Sequence, residues 1–233
     1  MTHDALVAFG ANLGDGEAVF QEIETRFMRD FGKVRSSPLF RTKAVTLSAG
    51  SAPEPDYWNA VIQVQVPQNW KPGEFLDRLL ALEKELGRIR TGSPQEHWSA
   101  RTADLDLLLW DDQFLDAAPH LVLPHPMMAW RRFVLEPACR IVPDRLHPLT
   151  GQTLAEMLAV LKKREEREEL TDGDPFLLWD SMEPVPQELL ERSRMQKCPI
   201  LARRWVCRNG ESSETFRKLL QLLRKPPNTE RTA

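Results

Sequence analysis

The run Asp104-Leu105-Asp106-Leu107-Leu108-Leu109-Trp110 constrains this chain more than any other stretch. Seven residues this apolar read as a buried strand. On a strand, residues i and i+2 share a face and lie roughly 6.6 Å apart. Asp104 and Asp106 are therefore expected on one face, with Leu105, Leu107 and Leu109 on the other. Neighbouring carboxylates repel unless a cation lies between them. A hard cation such as Mg²⁺ is held by one or two carboxylates plus substrate phosphates, at about 2.0–2.1 Å. Arg88, Arg90 and Arg101 lie just upstream, and guanidinium groups clasp phosphate oxygens through paired hydrogen bonds. Carboxylates for metal beside arginines for phosphate have the composition of a phosphoryl-transfer site. The competing reading is a solvated Asp pair at the start of a strand, with scattered surface arginines.

Size and composition narrow the classes. With 233 residues and 42% apolar content, the chain suits one ordinary domain plus an appendage. A core of about 150 residues buries roughly 70% of its unfolded surface and needs no disulfide or structural metal. A net charge of −3 points to neither nucleic acid nor a membrane surface. Cys139, Cys198 and Cys207 are odd in number and widely spaced, which suits neither a disulfide framework nor a zinc knuckle. The opening MTHDALVAFGANLGD lacks the basic flank and long apolar run of a signal peptide. No segment approaches the ~20 apolar residues of a membrane helix. A reduced, cytoplasmic protein is expected.

Ala5 to Phe9 reads as a strand running into the turn Gly10-Ala11-Asn12-Leu13-Gly14-Asp15. Asp15 suits the cap of a helix bearing Val19, Phe20, Ile23, Phe27 and Met28. That glycine loop reads as a turn; as a phosphate cradle it lacks the lysine and spacing of a P-loop. Gly32 to Thr42 reads as a second strand, and Lys43 to Pro55 as a loop of the length that often serves as a lid. Tyr57 to Val66 is a half-buried strand. Tyr57 and Asn59 share one face, where an aromatic ring and an amide suit a flat heterocycle or simply pack. Pro72 opens a helix with the stripe Phe75, Leu76, Leu79, Leu82 and Leu86, closed by Gly87. Glu83 lies at the edge of that stripe, either as a surface charge or as an inward partner for arginine or ligand. His125 between Pro124 and Pro126 sits in a stiff loop, as a structural residue or a phosphate donor. Leu154 to Leu161 reads as a final helix.

Taken together, FGANLGD (9–15), FRT (40–42), YWNAV (57–61), LEKELGRIR (82–90), WSARTADLDLLLW (98–110), LPHP (123–126), RRFVLEP (131–137) and IVPD (141–144) resemble the 6-hydroxymethyl-7,8-dihydropterin pyrophosphokinases of folate biosynthesis. The segments fall in family order over about 1–162. The resemblance implies an α+β fold with a ferredoxin-like βαββαβ core. It implies transfer of pyrophosphate from ATP to the hydroxymethyl group of the dihydropterin, releasing AMP. Asp104 and Asp106 would then bind two Mg²⁺ ions that bridge the ATP phosphates. Arg90, Arg101, His125 and Arg131 would contact phosphates, and Arg88 would help assemble the closed site. Glu83, Trp98 and Leu107 would lie along the nucleotide. Tyr57 and Phe133 would sandwich the pterin, and Thr42 and Asn59 would bond its polar edge. Several residues depart from the family pattern. His97 replaces an arginine before Trp98, Trp98-Ser99-Ala100-Arg101 replaces Trp-Gly-Pro-Arg, Lys43 lies beside the pterin pocket, and Leu80 replaces a glutamine. None is a metal ligand, so an active enzyme is expected.

Residues 163–233 exceed the family core and read as a charged linker followed by a basic, mainly helical extension. KKREEREE (162–169) is a solvated helix extension, broken at Asp172-Gly173-Asp174-Pro175. Ten Lys and Arg face only Glu211 and Glu214 between Arg192 and Lys225. Short helices are expected at 186–197 and 213–224. The extension reads as an add-on packing on the core or on a second subunit, with an acidic partner as the sharper alternative. ATP and the pterin are the expected partners of a monomeric enzyme. The competing functions are another metal-dependent nucleotidyl transferase and a non-catalytic binding protein. The first leaves Tyr57, Asn59 and Phe133 unexplained, and intact Asp104, Asp106 and Arg101 oppose the second.

Overall fold

The computed structural model describes residues 1–43, 55–88, 102–118, 120–166, 176–207 and 213–224. Its sheet is built around β1 (Thr2–Ala11), which pairs antiparallel with β4 (Tyr57–Pro67) on one side and β5 (Asp104–Trp110) on the other. β2 (Val34–Ser36) and β3 (Phe40–Thr42) both pair with β4, giving the order β2-β4-β1-β5. Alternation along each strand splits the sheet into two faces. Val7, Phe9, Ala60, Ile62, Val64, Leu105 and Leu107 face a core completed by Phe20, Ile23 and Phe27 of α1 (Gly16–Phe31) and Phe75, Leu79 and Leu82 of α2 (Pro72–Glu85). Leu6, Ala8, Val61, Leu108 and Leu109 face a second core filled from α3 (Arg132–Ile141) and α4 (Leu154–Glu166). The mixed α/β architecture with an antiparallel sheet is the coarse fold class read from the sequence.

Helix boundaries follow the local chemistry. Asp15 Oδ1 accepts from Ala18 N at 3.1 Å and caps α1, so the loop after β1 is a turn. Residue 16 is glycine because a Cβ there would lie 2.3 Å from Trp58 Cδ1, and α1 could not dock at its first residue. Pro72 opens α2, Glu74 Oε2 accepts from Lys71 N at 2.9 Å, and Gly87 follows the helix with φ of 89°.

Three expectations change. The single strand read over Gly32 to Thr42 is two strands. Ser37 separates them, its N–H donating to Val61 O at 2.9 Å while its hydroxyl oxygen accepts from Val61 N at 3.0 Å. Pro38 follows without an N–H to continue the ladder. Leu109 does not share a face with Leu105 and Leu107. Leu6 pairs with Leu109 and Val7 with Leu107, so Leu108 is the extra residue of a β-bulge. Leu108 and Leu109 both enter the second core, and Trp110 returns to the first. The final helix runs past Leu161 to Glu166.

The hairpin β6 (Leu115–Ala117) and β7 (Leu121–Leu123) leads into a 3-10 turn, Met128–Trp130, ahead of α3. Beyond α4 come β8 (Leu177–Trp179), α5 (Gln187–Gln196), β9 (Ile200–Ala202), α6 (Arg203–Val206) and α7 (Ser213–Arg224). α5 and α7 match the two helices expected there. The parallel β8–β9 pair was not foreseen, because three-residue strands carry no periodicity. Among the described residues, no helix is long and apolar enough to cross a membrane.

His147 lies between α3 and α4 and is 3% exposed, with Nδ1 accepting from Thr150 N and the Thr150 hydroxyl at 3.3 Å. Burial pushes its imidazole down from 6.5 to about 4. Between those values the unfolded chain binds the extra proton, so stability falls as pH drops through the window and the loss is complete below pH 4. At about 1.4 kcal/mol per pH unit, this is roughly 3 kcal/mol. Urea denaturation from pH 7 to 4 should show His147→Gln losing less stability than wild type by about that amount.

Candidate active site

Strand register assembles the site. Phe40 pairs with Asn59, Asn59 with Gly10, and Gly10 with Asp104, so one row crosses four strands. One step along the same face, Val61 pairs with Ala8 and Ala8 with Asp106. Asp104 and Asp106 therefore share a face, as period-2 geometry requires, and Gly10 leaves a trough between Asn59 and Asp104. A Cβ at Gly10 would stand 3.8 Å from Asn59 Oδ1 and 3.9 Å from Asp104 Cβ, so any larger side chain would fill the trough. Position 10 escaped the sequence reading, which took it as a turn glycine. The small pair Ala8 and Gly10 at i and i+2 was the available signal.

Below Asp104 lies a buried carboxylate. Glu83 on α2 is 1% exposed, and its Oε1 accepts from Leu105 N at 2.7 Å. Arg88 Nη1 lies 2.7 Å from the same oxygen and also hydrogen-bonds Asp104 Oδ1. Of the two readings of Glu83, the inward arginine partner is the one present. Burial opposes the Arg88 charge, but the carboxylates of Asp104 and Glu83 outweigh it and raise the guanidinium pKa. Arg88 thus stays charged and aims Asp104.

Asp106 faces a guanidinium and an imidazole. Arg131 Nη1 lies 3.5 Å from Oδ2, and His125 Nε2 lies 3.9 Å from Oδ1. Met127 N donates to His125 Nδ1 at 3.1 Å, so in the neutral ring the proton is on Nε2, toward the carboxylate. His125 N in turn donates to Leu108 O at 2.8 Å, which ties the loop to the bulge of β5. The Arg131 guanidinium also stacks 5.6 Å over the Phe133 ring.

Across the trough, Asn59 Nδ2 donates to Thr42 Oγ1 at 2.8 Å and to Tyr57 O at 3.4 Å. These bonds orient the amide and leave Asn59 Oδ1 toward Gly10. Tyr57 and Phe133 are half-buried at the starts of β4 and α3, two elements that pack together. Leu107 sends its side chain into the core on the opposite face. Lys43 ends the described segment after β3. Arg90, His97, Trp98 and Arg101, with most of the lid-length loop from Lys43 to Pro55, lie outside the described residues. Of the predicted positions, Arg88 joins Glu83 and Asp104, Arg131 and His125 lie near Asp106, and Asn59 bonds Thr42, with Glu83 buried behind the others.

The profile of the 7,8-dihydro-6-hydroxymethylpterin-pyrophosphokinase (HPPK) family matches residues 6–143. The chain belongs to this family. A Synechocystis 2-amino-4-hydroxy-6-hydroxymethyldihydropteridine pyrophosphokinase is 35% identical over 158 residues, covering 67% of this chain and 75% of that protein. The Pseudomonas aeruginosa protein of the same name is 36% identical over 161 residues, covering 68% of this chain and 92% of its own. Among solved structures, a Plasmodium falciparum HPPK-DHPS aligns with a TM-score of 0.54 at 12% identity, over 84% of this chain and 56% of that one. A second HPPK-DHPS aligns at 0.52 and 10% identity, over 77% of this chain and 50% of that one. The chain thus spans about half the length of those solved proteins, and the likeness is one of fold. The family match ends at residue 143, so the elements after α4 lie beyond it.

Glu83→Ala should leave Leu105 N unsatisfied and Arg88 with one buried carboxylate fewer, costing about 3–5 kcal/mol. Glu83→Gln keeps an acceptor oxygen and should cost less. Urea denaturation of both variants checks the order.

Proposed function

We propose that this chain transfers pyrophosphate from ATP to the hydroxymethyl group of 6-hydroxymethyl-7,8-dihydropterin, yielding the pterin diphosphate and AMP. The observation that carries the reading is the shared face of Asp104 and Asp106, with a cation on each and the Asn59–Thr42 amide–hydroxyl pair in the same row. The names of the family and of its relatives support it. The strand order β2-β4-β1-β5, with α1 and α2 as crossings on one face, supports a ferredoxin-like βαββαβ core.

In this reading Asn59 and Thr42 recognise the polar edge of the pterin, and Tyr57 and Phe133 hold its ring. The substrate hydroxyl attacks the β-phosphorus in line and AMP leaves. Little covalent work falls to the protein, so its task is positioning and charge neutralisation. Arg131 and the Nε2–H of His125 line the phosphate side. Arg90, Arg101 and Trp98 take phosphate and nucleotide roles by resemblance to the family. Glu83 acts indirectly, by holding Arg88 and strand β5, and Leu107 meets the nucleotide only through its backbone. In this reading Asp106 takes the hydroxyl proton, and no stronger general base is required.

The donor set fits Mg²⁺. Both carboxylates are hard oxygen donors and half-buried. Two Mg²⁺ ions, when bound with ATP, would supply charge neutralisation on the phosphates and polarise the attacked phosphorus. We read residues 1–162 as this catalytic unit, acting as a cytoplasmic monomer, and 163–233 as an extension.

Pterin-dependent AMP release from ATP should fall by about 10²–10³-fold or more in Asp104→Asn and Asp106→Asn, with far-UV circular dichroism unchanged. EDTA should abolish it and Mg²⁺ restore it. AMP release at wild-type rates in either variant would refute the assignment.

A further inference from the structure

The segment that carries His125 and Arg131 is held from two sides. On the inner side, Met128 is fully buried in the second core, with Ala129 packed against the same cluster. On the outer side, Met127 and Trp130 pack against a separate cluster of Phe176, Leu201, Cys207 and Phe216. The ring of Trp130 meets Phe176 edge-on, 5.0 Å between centroids. All four cluster residues belong to the part of the chain beyond the family match. The same part also reaches the other flank of His125. Val122, on β7, packs with Val185, Ile200, Ala202 and Trp205. A cation–π contact of 5.5 Å from Arg203 to the Phe216 ring, and a 2.5 Å ion pair from Arg203 to Asp180, knit the extension together.

The chain of contacts ends in chemistry. Met127 is a wall residue of the extension cluster, and its backbone N–H is the group that orients His125 Nδ1. Trp130 immediately precedes Arg131, whose guanidinium lies on Asp106. A 3-10 turn of three residues has few hydrogen bonds of its own. Its position is set by the second core beneath Met128 and by the outer cluster that covers Met127 and Trp130.

We propose that residues 176–207 and 213–224 are a buttress that sets the positions of His125 and Arg131, so that ATP phosphate binding depends on packing outside the family core. Met127, Trp130, Phe176 and Phe216 are its positioning residues. The catalytic consequence rests on the pyrophosphokinase reading above, whereas the mechanical one does not.

The test uses the full chain, with Phe216→Ala, the conservative Phe216→Leu, and Phe176→Leu as a milder lesion at the partner ring. Hydrogen exchange is followed in peptides covering 125–131 and, as a reference, 104–110. Phe216→Ala should speed exchange over 125–131 by about tenfold or more and leave 104–110 unchanged. It should raise KM for ATP by about tenfold while KM for the pterin stays within about twofold, since displaced phosphate-side groups act on one substrate. Phe216→Leu should recover most of both effects. A Phe216→Ala protein that exchanges faster everywhere is globally destabilised, and Phe176→Leu then decides by the same comparison. Folded variants with wild-type exchange over 125–131, or with kcat reduced and both KM values unchanged, would overturn the buttress. A wild-type chain that releases no AMP would sink the assigned reaction, and the exchange comparison alone would still decide the buttress.

Discussion

The hydrogen bond from Leu105 N to the buried carboxylate of Glu83 is the contact on which the rest depends. β5 is an edge strand, and an edge leaves backbone donors without a ladder partner. Glu83 supplies the acceptor for one of them from inside α2. A buried carboxylate costs several kcal/mol unless it is paired and hydrogen-bonded. Arg88 provides the pairing, and the same guanidinium reaches Asp104. One charge balance thus joins helix docking to the aim of the first carboxylate of the site. A helix shifted along the sheet would lose the Leu105 bond and the orientation of Asp104 together.

The two faces of the sheet divide the labour. The face toward α1 and α2 is largely apolar and supplies rigidity. The other face is apolar only where α3 and α4 cover it, and it opens at Gly10, Asn59, Asp104 and Asp106. In the proposed reaction the carboxylates and the Asn59 amide project from paired strands, which hold geometry better than loops, and the His125–Arg131 segment supplies the phosphate side. Phosphate chemistry with little covalent participation demands that rigidity, because misplacing charge by about 1 Å costs roughly 10²-fold.

Much of this was legible in the sequence wherever one period sufficed. Alternation put Asp104 and Asp106 on one face and the stripe of α2 toward the core. Pro72, Gly87 and Asp15 marked helix ends through fixed backbone preferences. Legibility failed where the outcome hung on contacts distant along the chain. The bulge at Leu108 moved Leu109 to the other face, and nothing local in Leu-Leu-Leu announces it. Ser37 split a strand because its hydroxyl found Val61 N across the sheet. Gly10 looked like a turn residue until register placed it between Asn59 and Asp104. The resemblance to the family named the His125–Arg131 segment, but not that Trp130 packs against Phe176.

The central claim is that this face performs pyrophosphoryl transfer to a pterin hydroxyl. The most direct measurement is identification of the products by mass spectrometry and ³¹P NMR after incubating the full chain with ATP, Mg²⁺ and 6-hydroxymethyl-7,8-dihydropterin. The account predicts AMP and the pterin diphosphate in equal amounts, with no ADP and no AMP when the pterin is omitted. A monophosphorylated pterin with ADP, or AMP formed equally without the pterin, would contradict it.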